Sequence, residues 1–138
     1  MNKRLLKYIM LCMVVFLTNS LFAEVKNEAF TPVDEIAKCI KDGDAAALAK
    51  YFNTTVEIVL PGTDGAYSKA QAQMIFKNYF AKSAPDSFSI KQKGKSSGNS
   101  EFFIGIYKAK TETYSVYVLL KPENGELLIQ QIHFEEEK

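Results

Sequence analysis

The sequence predicts an α+β fold in which three N-terminal helices pack on one face of a curved antiparallel sheet. Helical periodicity and capping residues occupy residues 31–83, interrupted by one alternating segment at 54–60. Four further alternating segments follow between residues 88 and 135 with only short turns between them, which favours antiparallel neighbours. The predicted order of elements is therefore α-α-β-α-β-β-β-β.

The first 23 residues have the layout of a secretory signal. Lys3, Arg4 and Lys7 precede an uninterrupted apolar run over 8–17, and a short polar stretch then leads to Ala23. The run is too short for a bilayer core, which needs about 20 residues. We therefore expect an exported protein, periplasmic or secreted, cleaved after Ala23 and without a stable membrane span. The expected divisions are a signal peptide at 1–23, a flexible lead-in at 24–30, one domain at 31–135 and a charged tail at 136–138.

Removing the signal changes the charge of the chain and narrows its possible partners. The formal net charge of +1 becomes slightly negative, and the sole arginine, Arg4, is lost. Such a surface is not expected to bind nucleic acid or an anionic membrane. Cys39 is then the only cysteine, so an intrachain disulfide is excluded in the mature chain.

The first two predicted helices are short. Thr31 can cap the first helix with Pro32 at its first position, and Gly43 provides the end. Asp44 can cap the second helix, which runs through an alanine-rich stretch and ends near Phe52. A capped helix on either side of Gly43 predicts a helical hairpin at the start of the domain.

The third helix follows a strand and a tight reversal. Residues 54–60 alternate as a strand does, and the Pro- and Gly-containing segment 61–65 reverses the chain. Ser68 and Gln71 have the spacing of a capping box at a helix start. The segment 84–86 ends this helix. The four strands of the predicted meander then occupy Phe88–Lys95, Glu101–Lys110, Thr113–Lys121 and Glu126–Glu135.

Several local motifs resemble a known family. The order of elements, with Gly43-Asp44 between two helices and Tyr67-Ser68-Lys69 opening the third, resembles the nuclear transport factor 2-like (cystatin-like) fold. The segments YVLLK (117–121) and NGELLIQQ (124–131) resemble domain-of-unknown-function family 4783 of exported bacterial proteins. The resemblance implies a conical pocket between sheet and helices, which some members of the superfamily use for acid/base chemistry and others for binding.

Alternation along the meander predicts an apolar inner face. Its expected members are Phe88, Ile90, Phe102, Ile104, Ile106, Tyr114, Val116, Val118, Leu120, Leu128, Gln130, Ile132 and Phe134. Only two of these are polar and none is a carboxylate or histidine, so we expect no catalytic residue, metal or cofactor. A carrier of a small apolar ligand stays an alternative, with a pocket formed by Tyr67, Phe76, Phe80, Tyr114 and Gln130.

The strand register determines which side chains of the last strand face the pocket. A β-bulge at Gln130-Gln131 would turn His133, the only histidine, into the pocket. An acid/base enzyme of the ketosteroid isomerase type, with His133 or Asp64 in the pocket, is therefore a less favoured alternative.

The predicted outer face carries more apolar side chains than a solvated sheet requires. Its expected members are Phe103, Tyr107, Tyr117, Leu119, Ile129, Gln131 and His133. Exposed aromatic and aliphatic clusters tend to mark protein contact surfaces. The leading hypothesis is a non-catalytic exported module that forms a homodimer through this face and binds a protein or envelope component. Cover by the segment around Phe30, or local curvature of the sheet, is the alternative.

Overall fold

The computed structural model describes residues 2–16 and 30–138, and the predicted cleavage site after Ala23 lies outside them. The described elements are four α-helices, six strands and one short 3-10 turn at Ser97–Asn99. The helices are α1 (Lys3–Phe16), α2 (Pro32–Asp42), α3 (Ala45–Ala49) and α4 (Lys69–Lys82), and the strands are β1 (Phe52–Leu60), β2 (Thr63–Ser68), β3 (Ser87–Lys95), β4 (Glu101–Ala109), β5 (Glu112–Glu123) and β6 (Glu126–Glu136).

Helix α2 begins and ends as the sequence predicts. The Thr31 hydroxyl accepts a hydrogen bond from the Asp34 amide at 3.3 Å, and the Asp34 carboxylate accepts one from the Thr31 amide at 3.1 Å. Pro32 occupies the first helical turn, and Gly43 closes the helix in the left-handed region with φ 63°. The Lys93 ammonium reaches Asp34 from β3 at 2.7 Å. This ion pair joins the start of α2 to the sheet.

The other two domain helices follow the sequence prediction with one difference. Ser68 and Gln71 form the predicted capping box of α4, with hydrogen bonds of 3.2 and 3.0 Å. Helix α3 stops at Ala49, earlier than predicted, and Phe52 already belongs to β1. The Ile129 amide donates a hydrogen bond of 2.6 Å to the carbonyl of residue 51, so pairing with β6 starts here and the helix cannot continue.

The sheet has the strand order β2-β1-β6-β5-β4-β3. Neighbouring strands are antiparallel except β1 and β6, which are parallel. The sequence does not predict β2, because residues 63–68 lack an apolar alternation and include Gly65. These residues become a strand by pairing with β1, from Leu60 opposite Thr63 to Thr55 opposite Ser68.

A single core lies between the sheet and helices α2, α3 and α4. The largest fully buried side chains come from both layers: Ile36, Ile40, Leu48, Phe52, Val56, Ile58, Phe76, Phe103, Tyr107, Leu120, Ile129 and Ile132. Helices packed on one face of a mainly antiparallel sheet confirm the predicted α+β class. Because α2, α3 and α4 share this core, all three pack on the same face of the sheet.

Candidate functional site: the outer face of the sheet

The face of the sheet turned away from α2, α3 and α4 is broad and largely apolar. Side chains directly opposite one another in neighbouring strands share a face. The registers place Glu57 and Val59 of β1, Phe102, Ile104 and Ile106 of β4, Ser115, Tyr117 and Leu119 of β5, and Gln131 and His133 of β6 on this side. We call these side chains the outer patch. All of them are partly exposed.

The side of β4 that faces outward is the one that was predicted to face the core. Phe103 and Tyr107, expected on the outer face, are fully buried in the core. Both sides of β4 are apolar, so alternation alone cannot choose between them. Gly105 determines which side of β4 faces the core, because a Cβ there would lie 2.4 Å from the Phe88 ring. The ring fills the inner space that Gly105 leaves free, and the side chains expected inside, Phe102, Ile104 and Ile106, belong to the outer patch.

Strand β6 contains the bulge that the sequence leaves open, and its effect differs from the expected one. The register with β5 shifts at Gln130, and Ile129 on the near side of the bulge is fully buried, although it is expected outside. Leu128, expected inside, is partly exposed. Beyond the bulge Phe134 is inside as predicted and His133 stays in the outer patch. The bulge therefore reverses the residues before it rather than those after it.

Four of the residues expected on the outer face do lie there: Tyr117, Leu119, Gln131 and His133. The Phe102 ring joins them by lying over Gly94, where a Cβ would approach it to 2.4 Å. It stacks on Tyr117, with ring centroids 6.1 Å apart and an interplanar angle of 29°. Glycine at position 94 thus allows the aromatic side chains of two strands to form one continuous apolar surface.

Three polar side chains form a network within the outer patch. The Glu57 carboxylate accepts a hydrogen bond from the Gln131 amide at 3.0 Å, and its other oxygen lies 3.2 Å from Nε2 of His133. The Tyr117 ring lies beside the imidazole, with centroids 6.1 Å apart. Glu57 faces outward together with Gln131, which lies opposite it on β6. The ionisable groups of the patch, Glu57 and His133, are thus placed against each other rather than against solvent alone.

The residues predicted to form a ligand pocket do not line an open cone. Phe76, Phe80 and Tyr114 are buried among further aromatic rings contributed by Tyr79, Tyr107 and Phe134. The ring centroids within this cluster are separated by 5.1 to 6.5 Å, the range of ordinary aromatic packing. The centre of the domain is therefore filled by its own side chains.

The two polar residues of the predicted pocket lie far apart. The Tyr114 hydroxyl donates a hydrogen bond to Glu112 at one end of β5. Gln130 lies at the bulge beside the other end and accepts a hydrogen bond from Asn53 at 3.3 Å. Five or six strand residues separate the two positions, which corresponds to roughly 17–20 Å. Tyr67 is partly exposed on β2, its ring next to the strand's own Gly65.

The buried tyrosines are held in their protonated form. Burial raises the pKa of Tyr79 and of Tyr107 above the ordinary tyrosine value. The hydrogen bond to Glu112 raises the pKa of Tyr114 to about 12. Tyr107 donates to the Ser83 carbonyl at 2.5 Å, whereas the buried Tyr79 hydroxyl lies near that of Tyr114 without the geometry of a hydrogen bond. None of the three phenols is therefore set up as a base at neutral pH.

Other features of the surface are less specific. A shallow groove of about 590 Å³ lies between α2 and β3 and is lined by apolar side chains such as Phe30 and Phe88, by two lysines and by Asp34. Within residues 2–16 and 30–138, no three His, Cys, Asp or Glu side chains come together as metal ligands. In the same part of the chain, no helix has both the length and the apolar character needed to cross a membrane.

The strand order of the sheet and the placement of the helices on one of its faces define a protein of the nuclear transport factor 2-like (cystatin-like) class. Solved structures of cystatin-fold and NTF-2 like proteins match the chain. Within this class, the chain belongs to the family of domain of unknown function DUF4783, whose sequence model matches residues 33–135. The predicted resemblance is thereby confirmed. A comparison with curated proteins finds no match.

Two solved members of this family are similar to the chain. The DUF4783 protein of Bacteroides uniformis has 20% identity and a TM-score of 0.73, with 78% of this chain and 99% of that chain covered. The DUF4783 protein of Bacteroides ovatus has 25% identity and a TM-score of 0.70, with 75% and 94% covered. A putative ketosteroid isomerase of Kribbella flavida has 13% identity and a TM-score of 0.56, with 77% and 75% covered. At that identity the likeness to the isomerase concerns the fold alone.

Proposed function

We propose that the protein is a non-catalytic binding module that forms a homodimer through the outer patch. The observation that carries the proposal is the apolar character of this face. An antiparallel sheet with one solvated face normally alternates apolar and polar residues, yet β4 presents Phe102, Ile104 and Ile106 on the side away from the core. Leu119 and Tyr117 of β5 continue this surface.

The size of the patch is that of the centre of an interface. The patch extends over three residues of β1 and β6 and five residues of β4 and β5, which corresponds to a plan area of roughly 250 Å². Apolar patches of a few hundred Å² on monomeric soluble proteins are often functional. A stable interface buries ~800 Å² per partner, so the proposed dimer also buries residues around the patch.

A second copy of the chain suits this patch better than a strongly charged partner. Its two ionisable groups, Glu57 of β1 and His133 of β6, lie against each other on one side of the patch. The part formed by β5 and β4 is mainly aliphatic or aromatic, so two identical patches can meet without opposing like charges across most of their area. A symmetric interface uses the same surface on both copies, and a flat apolar sheet face meets that condition.

The filled interior of the domain favours binding at its surface over a small-ligand carrier or an acid/base enzyme. A small-ligand carrier needs an open cavity of about 300 Å³ or more, whereas the aromatic cluster around Phe76 and Phe134 occupies the space between α4 and the sheet. An acid/base enzyme of the isomerase type needs a titratable group in the cone. His133 faces the other side of the sheet, and Asp64 pairs opposite Val59 on that side as well.

Sedimentation velocity across a concentration series tests the dimer. We expect the protein to be a dimer at micromolar concentrations and Ile104→Glu to be a folded monomer, because a carboxylate placed in the apolar centre must be desolvated. The matched control is Met74→Glu, which adds the same charge to an exposed apolar side chain on α4 and should leave the dimer intact. A monomeric wild type at high concentration, or equal dissociation of both variants, would disprove the proposal.

We also propose that the chain is exported and that its domain acts after removal of the first 23 residues. The support is the sequence pattern of basic residues followed by an apolar run that ends before Ala23. An outer patch that pairs with a second copy is compatible with this, because the mature domain retains all residues of the patch.

A further inference from the structure

The pair formed by His133 and Glu57 is placed where dimerisation would remove it from water. Nε2 of His133 is 3.2 Å from the Glu57 carboxylate, and the second carboxylate oxygen accepts the Gln131 hydrogen bond. In the isolated chain the His133 side chain is 32% exposed and that of Glu57 is 45% exposed. The Nε2 atom is already shielded from solvent but has no hydrogen bond of good geometry. A covering partner would therefore remove most of the remaining water from this pair.

The surroundings of His133 contain acidic groups but no second cation. On β6 its neighbours on the same face are Gln131 and Glu135, and on β5 it lies opposite Tyr117. On β1 it lies opposite Val59 with Glu57 beside it, and β2 adds Asp64 opposite Val59. None of the described residues that face His133 from these strands is a lysine or an arginine. Protonation of the imidazole is thus the means by which the Glu57 charge can be neutralised.

We propose that protonation of His133 tightens dimerisation through the outer patch. The proposal rests on the dimer proposed above. With a neutral imidazole, each copy brings an unbalanced Glu57 carboxylate into a contact that excludes water, and the symmetry of the dimer doubles this cost. With an imidazolium, each copy brings a neutral ion pair, and the desolvation cost is offset by the attraction between the two groups. Association is then accompanied by proton uptake, so the dimer becomes tighter as the pH falls.

The expected effect is large enough to measure. The comparison is made between about pH 8 and about pH 5.5, a range in which imidazole side chains in general change their charge and carboxyl side chains in general do not. If the protonated state of each His133 is preferred about tenfold in the dimer, two copies give about a 100-fold decrease of the dissociation constant.

Sedimentation equilibrium at both pH values, with the wild type and two variants, tests the inference. We expect Glu57→Gln to dimerise tightly at about pH 8, because the contact then contains no carboxylate at this position, and not to become tighter at about pH 5.5, because an imidazolium would lack its carboxylate partner. We expect His133→Gln to remain weakly dimeric at both, because the charge cannot be neutralised. Circular dichroism at each pH confirms that the variants are folded. The two variants depart from the wild type in opposite directions: Glu57→Gln should dimerise more tightly than the wild type at about pH 8, and His133→Gln more weakly than the wild type at about pH 5.5. A general effect of pH on folding cannot produce this pattern.

The outcomes separate this inference from the proposed function. A wild-type dimer with the same dissociation constant at both pH values overturns the role of His133 and leaves the dimer proposal standing. A wild type that stays monomeric at both values overturns both. Retention of the full pH dependence in Glu57→Gln or in His133→Gln shows that another group is responsible and also overturns the inference.

Discussion

The substitution Gly105→Ala tests the packing that determines which side of β4 enters the core. A Cβ at this position would lie 2.4 and 2.6 Å from two atoms of the Phe88 ring and 2.9 Å from the Ser89 carbonyl oxygen. Carbon atoms in contact prefer about 3.5–4.0 Å, so the ring would have to move by more than 1 Å. Phe88 is only 7% exposed and packs edge-on against Phe103, with centroids 6.4 Å apart. Little space is therefore available for the ring to move.

The magnitude follows from two opposing effects. Overpacking a well-packed core costs about 1–3 kcal/mol. Replacing a strand glycine with alanine returns about 0.5–1 kcal/mol, because the unfolded chain loses less conformational entropy. We expect a net destabilisation of about 1–2 kcal/mol for Gly105→Ala, measured by urea unfolding and expressed as a lower midpoint with an unchanged slope.

Gly94→Ala is the matched control, because its Cβ would meet the Phe102 ring at the same distance of 2.4 Å. The Phe102 ring is partly exposed in the outer patch and can turn towards solvent, so we expect a change within about 0.5 kcal/mol. In a Phe88→Leu background, Gly105→Ala should cost less than in the wild type. A Gly105→Ala protein as stable as the wild type, or an equal loss for Gly94→Ala, would refute this account of β4.

Three further predictions concern single groups. The Lys93 ammonium lowers the pKa of Asp34 from 3.8 to about 2, so this carboxylate stabilises the fold above about pH 4, and the stabilisation is lost as the pH falls towards 2. The melting temperatures of the wild type and Asp34→Asn should therefore differ at pH 6 and converge near pH 2. A difference that stays constant with pH would contradict this. The Glu35 carboxylate raises the pKa of Tyr51 to about 12 through a hydrogen bond, so Glu35→Gln should move one tyrosine towards the ordinary value in an ultraviolet titration, whereas an unchanged curve would remove Glu35 as the cause. Export with cleavage after Ala23 predicts a mature protein that begins at residue 24. The intact mass of the protein from a periplasmic or secreted fraction tests this, and a full-length mass in that fraction would contradict the predicted cleavage.

Local features of the fold were predictable because their causes are adjacent in the sequence. The capping boxes at Thr31 and Ser68 use side chains three residues away, and the left-handed end at Gly43 needs only a glycine. The strands of the meander show their own alternation, and so β3 to β6 are found close to the predicted bounds. By contrast, β2 has no such signal in residues 63–68 and exists because β1 lies beside it.

The candidate site was predictable in part for the same reason. Tyr117, Leu119, Gln131 and His133 were expected on the outer face and lie there, since β5 has one clearly apolar side and the residues after the bulge keep their register. Phe103 and Ile129 were expected there and are buried instead. On β4 both sides are apolar, and at the β6 bulge one extra residue changes the side that each earlier residue faces. Neither choice can be made from one strand alone.

The sequence by itself determined the fold class, the starts of the domain helices and the excess of apolar residues in the last three strands, because periodicity and caps act over a few residues. Only the tertiary structure decided which side of β4 faces outward and that Glu57 lies against His133. The physical reason is that both depend on contacts between distant segments. The Phe88 ring of β3 fills the space at Gly105 of β4, and parallel pairing of β1 with β6 brings together a carboxylate and an imidazole that are far apart in the chain.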